Sequence, residues 1–138
     1  MFKNINKIRI IVFLPNFTFG GAAESLIKLI SCLSKKKFSI LIISIGKNSY
    51  KKKLLKMGCD IIEINYKKTI FSIFNLRMIF KNEIKKKYKK TILLSNIHYA
   101  NIVSILSTFF LKNIKIILIR CISVGYVSQK SSKSNQIG

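Results

Sequence analysis

Arginine, acidic side chains and metal-ligand pairs are all scarce in this chain. Three arginines (Arg9, Arg77, Arg120) accompany 23 lysines, against four acidic residues and one histidine. The formal charge of +22 suggests a nucleic-acid binder at first sight. The planar guanidinium that serves bidentate phosphate and base recognition is nearly missing, however. Ile, Lys, Asn, Phe and Tyr make up 76 of the 138 residues, and all five have A/T-rich codons. An AT-rich genome therefore accounts for the lysines, and nucleic acid is disfavoured as a partner. The charge is still physical, and an anionic membrane surface would attract it at about 1 kcal/mol per well-placed lysine.

Cys32, Cys59 and Cys121 are odd in number, far apart and set in apolar or strand-like contexts. No CxxC or Cys/His spacing points to a metal, and buried free thiols in a reducing compartment are expected. A membrane span is also missing. The one long stretch without formal charge, Thr91 to Leu111, carries Asn96, His98, Asn101, Ser104 and Ser107, too many polar groups for a bilayer core. The basic start (Lys3, Lys7, Arg9) superficially resembles a signal peptide, but its apolar run ends at Pro15, and a buried first strand fits better.

What is present alternates between short apolar runs and helical spacing. Lys7–Leu14, Phe38–Ile45, Asp60–Asn65, Thr91–Ser95 and Ile114–Ile119 read as strands, near-continuously apolar as in a sheet covered on both faces. Between them, Ala22–Ser34 has helical spacing, with Leu26, Leu29, Ile30 and Leu33 on one face. A short helix follows, capped by Asn48 or Ser49 and stopped at Gly58. A longer helix has Ile70, Ile73, Phe74, Phe80 and Ile84 on one side, and Tyr99–Leu111 reads as a buried helix. Such alternation implies an α/β, Rossmann-like parallel sheet with helices on both faces and right-handed crossovers. The expected order is 3-2-1-4-5, with the functional crevice at the strand carboxyl ends. Residues 1–120 form the expected domain, and 121–138, rich in Ser, Lys, Asn and Gln, a polar and poorly ordered tail.

The first loop, LPNFTFGGAAESL, joins strand to helix. Its glycines allow positive φ and let backbone approach a ligand closely, and the first N–H groups of the following helix suit a phosphate or diphosphate. The residues Phe19-Gly20-Gly21-Ala22-Ala23-Glu24 contain neither GxGxxG nor GxxxxGK[ST]. No ribose-binding acid closes the second strand, where Ile45-Gly46-Lys47 stands. A dinucleotide or P-loop enzyme is thereby disfavoured, while a glycine pair serving only a tight turn remains open.

On the residues Gly20, Gly21 and Glu24, joined to SNIHYANIVSIL with Ala100 and Asn101 after the fourth strand, the chain resembles the N-terminal domain of family 4 GT-B glycosyltransferases. The resemblance spans roughly residues 7 to 120. It implies transfer of a sugar from a nucleotide-sugar donor to a hydroxyl acceptor, a glycan or lipid-linked molecule, with no cofactor and no essential metal. In that family the N-terminal half mainly holds the acceptor and its glycine loop reaches the donor diphosphate. Gly20, Gly21 and Glu24 would then form the diphosphate and acceptor loop, and Asn16, His98 and Asn101 would be acceptor contacts. No catalytic residue is assigned beyond His98 as a candidate. The family's histidine usually falls where this chain has Asn96, or after the fifth strand, where it has Arg120-Cys121. The chain is expected to stop before the donor-binding half, and so to transfer no sugar alone, because positioning between two domains supplies much of the rate.

Each residue has a plainer reading. His98 would be a surface or capping histidine, Asn101 a helix cap, and Glu24 a first-turn carboxylate favoured by the helix dipole. The segment with Phe71, Phe74, Arg77, Met78 and Phe80, followed by KKKYKK, reads either as an interfacial helix or as one packed on the sheet with solvated lysines. The alternative function is a non-enzymatic basic module binding anionic membrane or nucleic acid. The expected location is the cytoplasm, compatible with peripheral seating on the inner membrane face.

Overall fold

A computed structural model describes residues 6–17, 20–65 and 67–119. The expected tail at 121–138, with Cys121, lies outside the described residues, as does Arg120. The elements alternate as β1 (Ile8–Leu14), α1 (Gly21–Cys32), β2 (Phe38–Ile45), α2 (Lys51–Lys56) and β3 (Asp60–Ile64). A 3-10 turn (Thr69–Ser72) then leads into α3 (Ile73–Lys85), β4 (Lys90–Asn96), α4 (His98–Thr108) and β5 (Lys115–Ile119). The five strands form one sheet in the order β3-β2-β1-β4-β5, all neighbours parallel. The architecture is the expected Rossmann-like one.

Period-two alternation on each strand sorts side chains into two layers. Ile11 and Phe13 of β1, Leu41 and Ile43 of β2 and Leu93 of β4 face α3 and α4, where they meet Leu76, Phe80, Ala100 and Val103. Val12, Leu14, Ile42 and Leu94 face the other way and meet Ala23, Leu26, Ile27 and Ile30 of α1 and Leu54 of α2. Burying each such Leu, Ile or Phe contributes roughly 1.5–3 kcal/mol, and β1, paired on both edges and covered on both faces, is the centre of both layers.

At the amino end of the sheet a charge lies inside the protein. Arg9, on β1, is buried. Its guanidinium donates to Glu83 Oε2 of α3 at 2.8 Å, to Asp60 Oδ2 of β3 at 2.8 Å and to Ser39 Oγ of β2 at 2.6 Å. It also lies 5.2 Å from the centroid of the Tyr88 ring. Burial alone would lower the pKa of this group, but the hydrogen bond to Asp60 and the charge of Glu83 outweigh it, and the net shift is upward. Asp60 is largely exposed while Glu83 is buried, so solvent screens the first contact and the second is the stronger tie. Lys86 meets the other Glu83 oxygen at 2.7 Å.

Several expected faces are corrected. In α1 the buried stripe is Ala23, Leu26, Ile27 and Ile30, and Leu29 is 46% exposed. Two adjacent stripes were available in the pattern, and the one containing small Ala23 packs on the sheet. In α3 the buried residues are Leu76, Phe80 and Glu83, with Ile73 partly buried against them. Ile70 lies in the 3-10 turn rather than the helix, and both Ile70 and Phe74, at 57% and 82% exposure, point away from the core. The tighter turn shifts the helical phase, and the pull of Arg9 on Glu83 sets which side faces inward.

The helix α4 also departs from expectation. Its buried face is Ala100, Val103, Ser104, Ser107 and Thr108, while Tyr99, Ile102, Ile105 and Leu106 are exposed. The Ser107 and Thr108 hydroxyls are satisfied by donating to the Val103 and Ser104 carbonyls, each at 2.6 Å, so a small-residue face can lie close against the sheet. Cys59 is buried as expected, but Cys32, at the end of α1, is exposed. Neither Asn48 nor Ser49 caps α2 directly; Asn48 Oδ1 accepts from Tyr50 N at 3.0 Å just before it. Gly58, at φ +82°, supplies the left-handed residue that ends α2.

Arg9→Ala is expected to destabilise the fold by about 3 kcal/mol or more, because it leaves Glu83 buried beside only one partly exposed lysine. The paired change Arg9→Met with Glu83→Leu should recover most of that loss. Urea denaturation of the three proteins checks this, and an Arg9→Ala cost below about 1 kcal/mol would contradict a structural role for the pair.

Candidate functional site at the carboxyl edge of the sheet

The expected site residues collect at one edge. Asn16, Gly20 and Gly21 follow the carboxyl end of β1, and His98 and Asn101 follow that of β4, its direct neighbour. The glycine loop leads into α1 on one layer, and the β4 turn leads into α4 on the other. Chain leaving adjacent strands toward opposite faces opens a crevice between them, the usual ligand position in an open α/β sheet.

On the β1 side, Gly20 precedes α1 with extended backbone, φ 163° and ψ 167°, and no side chain caps the helix. Neither glycine lies in the left-handed region, although glycines would permit it here. Among the described residues, nothing lies within 4 Å of where a Cβ would stand on Gly20 or Gly21. The described residues therefore place no steric demand for glycine at either position. Glu24 sits in the first turn of α1 and is exposed. It lines a recess of about 180 Å³ with Ile27, Lys28, Tyr50 and Lys53, which is the first-turn placement that the dipole favours. Asn16 is exposed, and its amide lies 3.2 Å from the Ile45 and Pro15 carbonyl oxygens, where its nitrogen donates to both. That ties the ends of β1 and β2 together.

On the β4 side, His98 is the first residue of α4 and is exposed. Its ring stands edge-on to Tyr99 at 6.1 Å between centroids, and no side chain caps the helix. Asn101 is not a helix cap either. Its Nδ2 donates to the Ile119 carbonyl of β5 at 3.1 Å, and its Oδ1 is buried without a partner among the described residues.

Three features of this edge were not read from the sequence. Ile97 joins β4 to α4 at φ 81° and ψ 141°, a conformation that a β-branched residue adopts only under strain. Asn96 Oδ1 holds it there by accepting from Ile97 N at 2.9 Å. Secondly, Ser44 Oγ and Ser95 Oγ, near the carboxyl ends of β2 and β4, are buried with no hydrogen-bond partner among the described residues. A hydroxyl closing an apolar run, as in FSILIISI and TILLSN, is the signal that could have marked them. Thirdly, Lys67, Lys68 and Ile70 face Tyr99, Ile102 and Val103 across a recess of about 480 Å³, built by elements whose adjacency only the fold establishes. A comparably large recess lies at the opposite edge, lined by Tyr88, Lys89, Lys90 and Lys115 among others, far from the strand ends that carry the strained and unsatisfied groups.

Among the described residues no group of three His, Cys, Asp or Glu side chains could hold a metal ion. No described helix is long and apolar enough to cross a membrane. Comparison with protein-family models, curated proteins and solved structures finds no match to this chain.

If Ile97 is strained, Ile97→Gly should be more stable than Ile97→Ala by about 1 kcal/mol, the reverse of their ordinary order. Both variants lose the same side chain, so denaturant midpoints isolate the backbone effect. Ala equal to or above Gly would contradict strain at this turn.

Proposed function

We propose that this chain is the acceptor-side, Rossmann-like domain of a family 4 GT-B glycosyltransferase. It holds a hydroxyl acceptor at the carboxyl edge of the sheet and turns the Gly20–Gly21 loop toward the diphosphate of a sugar nucleotide. The observation that carries this reading is the glycine pair itself. Two glycines stand at the start of α1 where, among the described residues, neither a left-handed backbone nor close packing calls for one. What they leave is backbone N–H groups with no Cβ beside them, at a helix start without a side-chain cap among the described residues, the arrangement that receives a phosphate. The resemblance of Gly20, Gly21, Glu24, Ala100 and Asn101 to the family pattern points the same way.

In the reaction so proposed, the acceptor hydroxyl oxygen bonds to the anomeric carbon, the bond from that carbon to the diphosphate oxygen breaks, and the nucleoside diphosphate leaves. The hydroxyl proton passes to the departing phosphate or to a base. The first-turn N–H groups of α1 would stabilise the charge gathering on the leaving diphosphate. His98, exposed on the neighbouring strand end, would hydrogen-bond an acceptor hydroxyl. The recess between Lys67, Lys68 and Tyr99 is the space available to the acceptor's body. Asn16 and Asn101, engaged with neighbouring carbonyls, would shape this edge and leave the direct contact to His98.

Saturation-transfer NMR with uridine diphosphate tests the loop. Weak binding is expected from the wild type, and Gly20→Val and Gly21→Val should each weaken it about tenfold, roughly 1.4 kcal/mol. Both variants keep the net charge, so unspecific attraction to lysines is constant across the series. They should also fold with stability within about 1 kcal/mol of wild type. Undiminished binding in the valine variants would overturn the loop's assignment.

A further inference from the structure

We infer that the outer face of α4 and the 3-10 turn is a docking surface for an anionic lipid bilayer. The helix is inverted for a free-standing domain: small and hydroxyl-bearing residues face inward, and its large apolar side chains face out. Ile102, Ile105 and Phe109 recur at helical spacing on the side opposite buried Ala100, Ser104 and Ser107, with Tyr99 and Leu106 on the flank toward α3. Phe109 and Phe110 stack edge-on at 4.3 Å between centroids. Phe110, at φ 63°, is 87% exposed.

The neighbouring element continues the surface. Ile70 faces Tyr99 and Ile102 across the recess. Further along, the Arg77 guanidinium donates to the Ser107 and Phe109 carbonyls at the end of α4, so α3 and α4 run side by side. Phe71 of the 3-10 turn and Phe74 of α3 are exposed as well. Exposed apolar side chains gathered on α4 and the adjoining 3-10 turn in this way mark an interaction site.

Charge selects the occupant. Lys67 and Lys68 border the patch at one end, and Lys112 follows it at the other. No acidic residue lies on α4 or on the 3-10 turn. Asp60 and Glu83 are bound to Arg9, and Glu63 pairs with Lys51 at 3.4 Å, while Glu24 is on α1 in the opposite layer. A second copy of a chain with +22 charge would be repelled at long range. An anionic bilayer attracts the same charge and takes aromatic and aliphatic side chains into its headgroup boundary. The inference does not rest on the transferase reading, since it needs neither donor nor acceptor.

Co-sedimentation of the full chain with phosphatidylglycerol-containing vesicles, beside pure phosphatidylcholine vesicles, tests it. Binding is expected to the first and to be weakened at high salt. Ile105→Ser with Phe109→Ser should weaken it by about tenfold or more, and Lys67→Gln with Lys68→Gln by about thirtyfold. The same number of changes on the other layer, Leu29→Ser with Leu55→Ser, should leave it unchanged. Circular dichroism of each variant checks folding, and the lysine pair is an independent variant should the apolar one unfold. No binding, equal binding to phosphatidylcholine alone, or equal loss from the Leu29 and Leu55 changes would overturn the inference. So would lipid-free self-association, measured by sedimentation velocity and abolished by Ile105→Ser with Phe109→Ser.

Discussion

The fold turns on one buried cation. With four acidic residues against 26 basic ones, carboxylates are the scarce partners, and two of the four meet at Arg9. Through that guanidinium β1 is tied to β2, β3 and α3 at the amino edge of the sheet. An isolated charge could not stay buried there, so the partners must arrive together, and their arrival fixes how α3 is rotated on the sheet. The opposite rotation would bury Phe74 and leave Glu83 in water, with Arg9 short of its driest contact. The outward position of Phe74 thus follows from an interaction at the amino edge of the sheet.

The two edges of the sheet differ in kind. At the amino edge, polar groups are paired, and the Arg9 network is dense. At the carboxyl edge, Ile97 is held in a strained conformation, and among the described residues Ser44, Ser95 and Asn101 keep unsatisfied buried atoms and α1 begins without a side-chain cap. Strain and unmet hydrogen bonding cost stability, and natural folds concentrate such costs where a ligand is handled. The proposed role of the glycine loop sits on that edge, at the point where chain departs β1 and β4 toward opposite faces.

Much of the architecture was legible because parallel strands buried on both faces leave near-continuous β-branched runs, and KIRIIVFL, FSILIISI and IKIILI are unmistakable in that respect. The strand order followed from the alternation of elements. Helix faces were less legible. In α1 the choice between Leu29 and Ile27 depended on whether Ala23 could approach the sheet, and in α3 on a long-range ion pair between residues 74 positions apart. In α4 hydrophobicity pointed the wrong way, since Ser107 and Thr108 satisfy their own hydroxyls within the helix and become good packing residues. Of the candidate site, Gly20, Gly21 and His98 stand out by residue type and position alone. The strain at Ile97 and the recess joining Lys67 to Tyr99 are products of the fold and leave no local trace in the sequence.

On the proposed reading, a nucleoside diphosphate meets the carboxyl edge between β1 and β4. That contact is tested most directly by following backbone amide signals of the isotope-labelled chain while uridine diphosphate is added at moderate salt. Saturable shifts are expected, concentrated at Gly20 to Glu24 and at Ile97 to Asn101, with β1, β2 and β4 amides near Arg9 unmoved. Shifts spread evenly over the lysine-bearing surface, or confined to the recess between Tyr88 and Lys115, would contradict it.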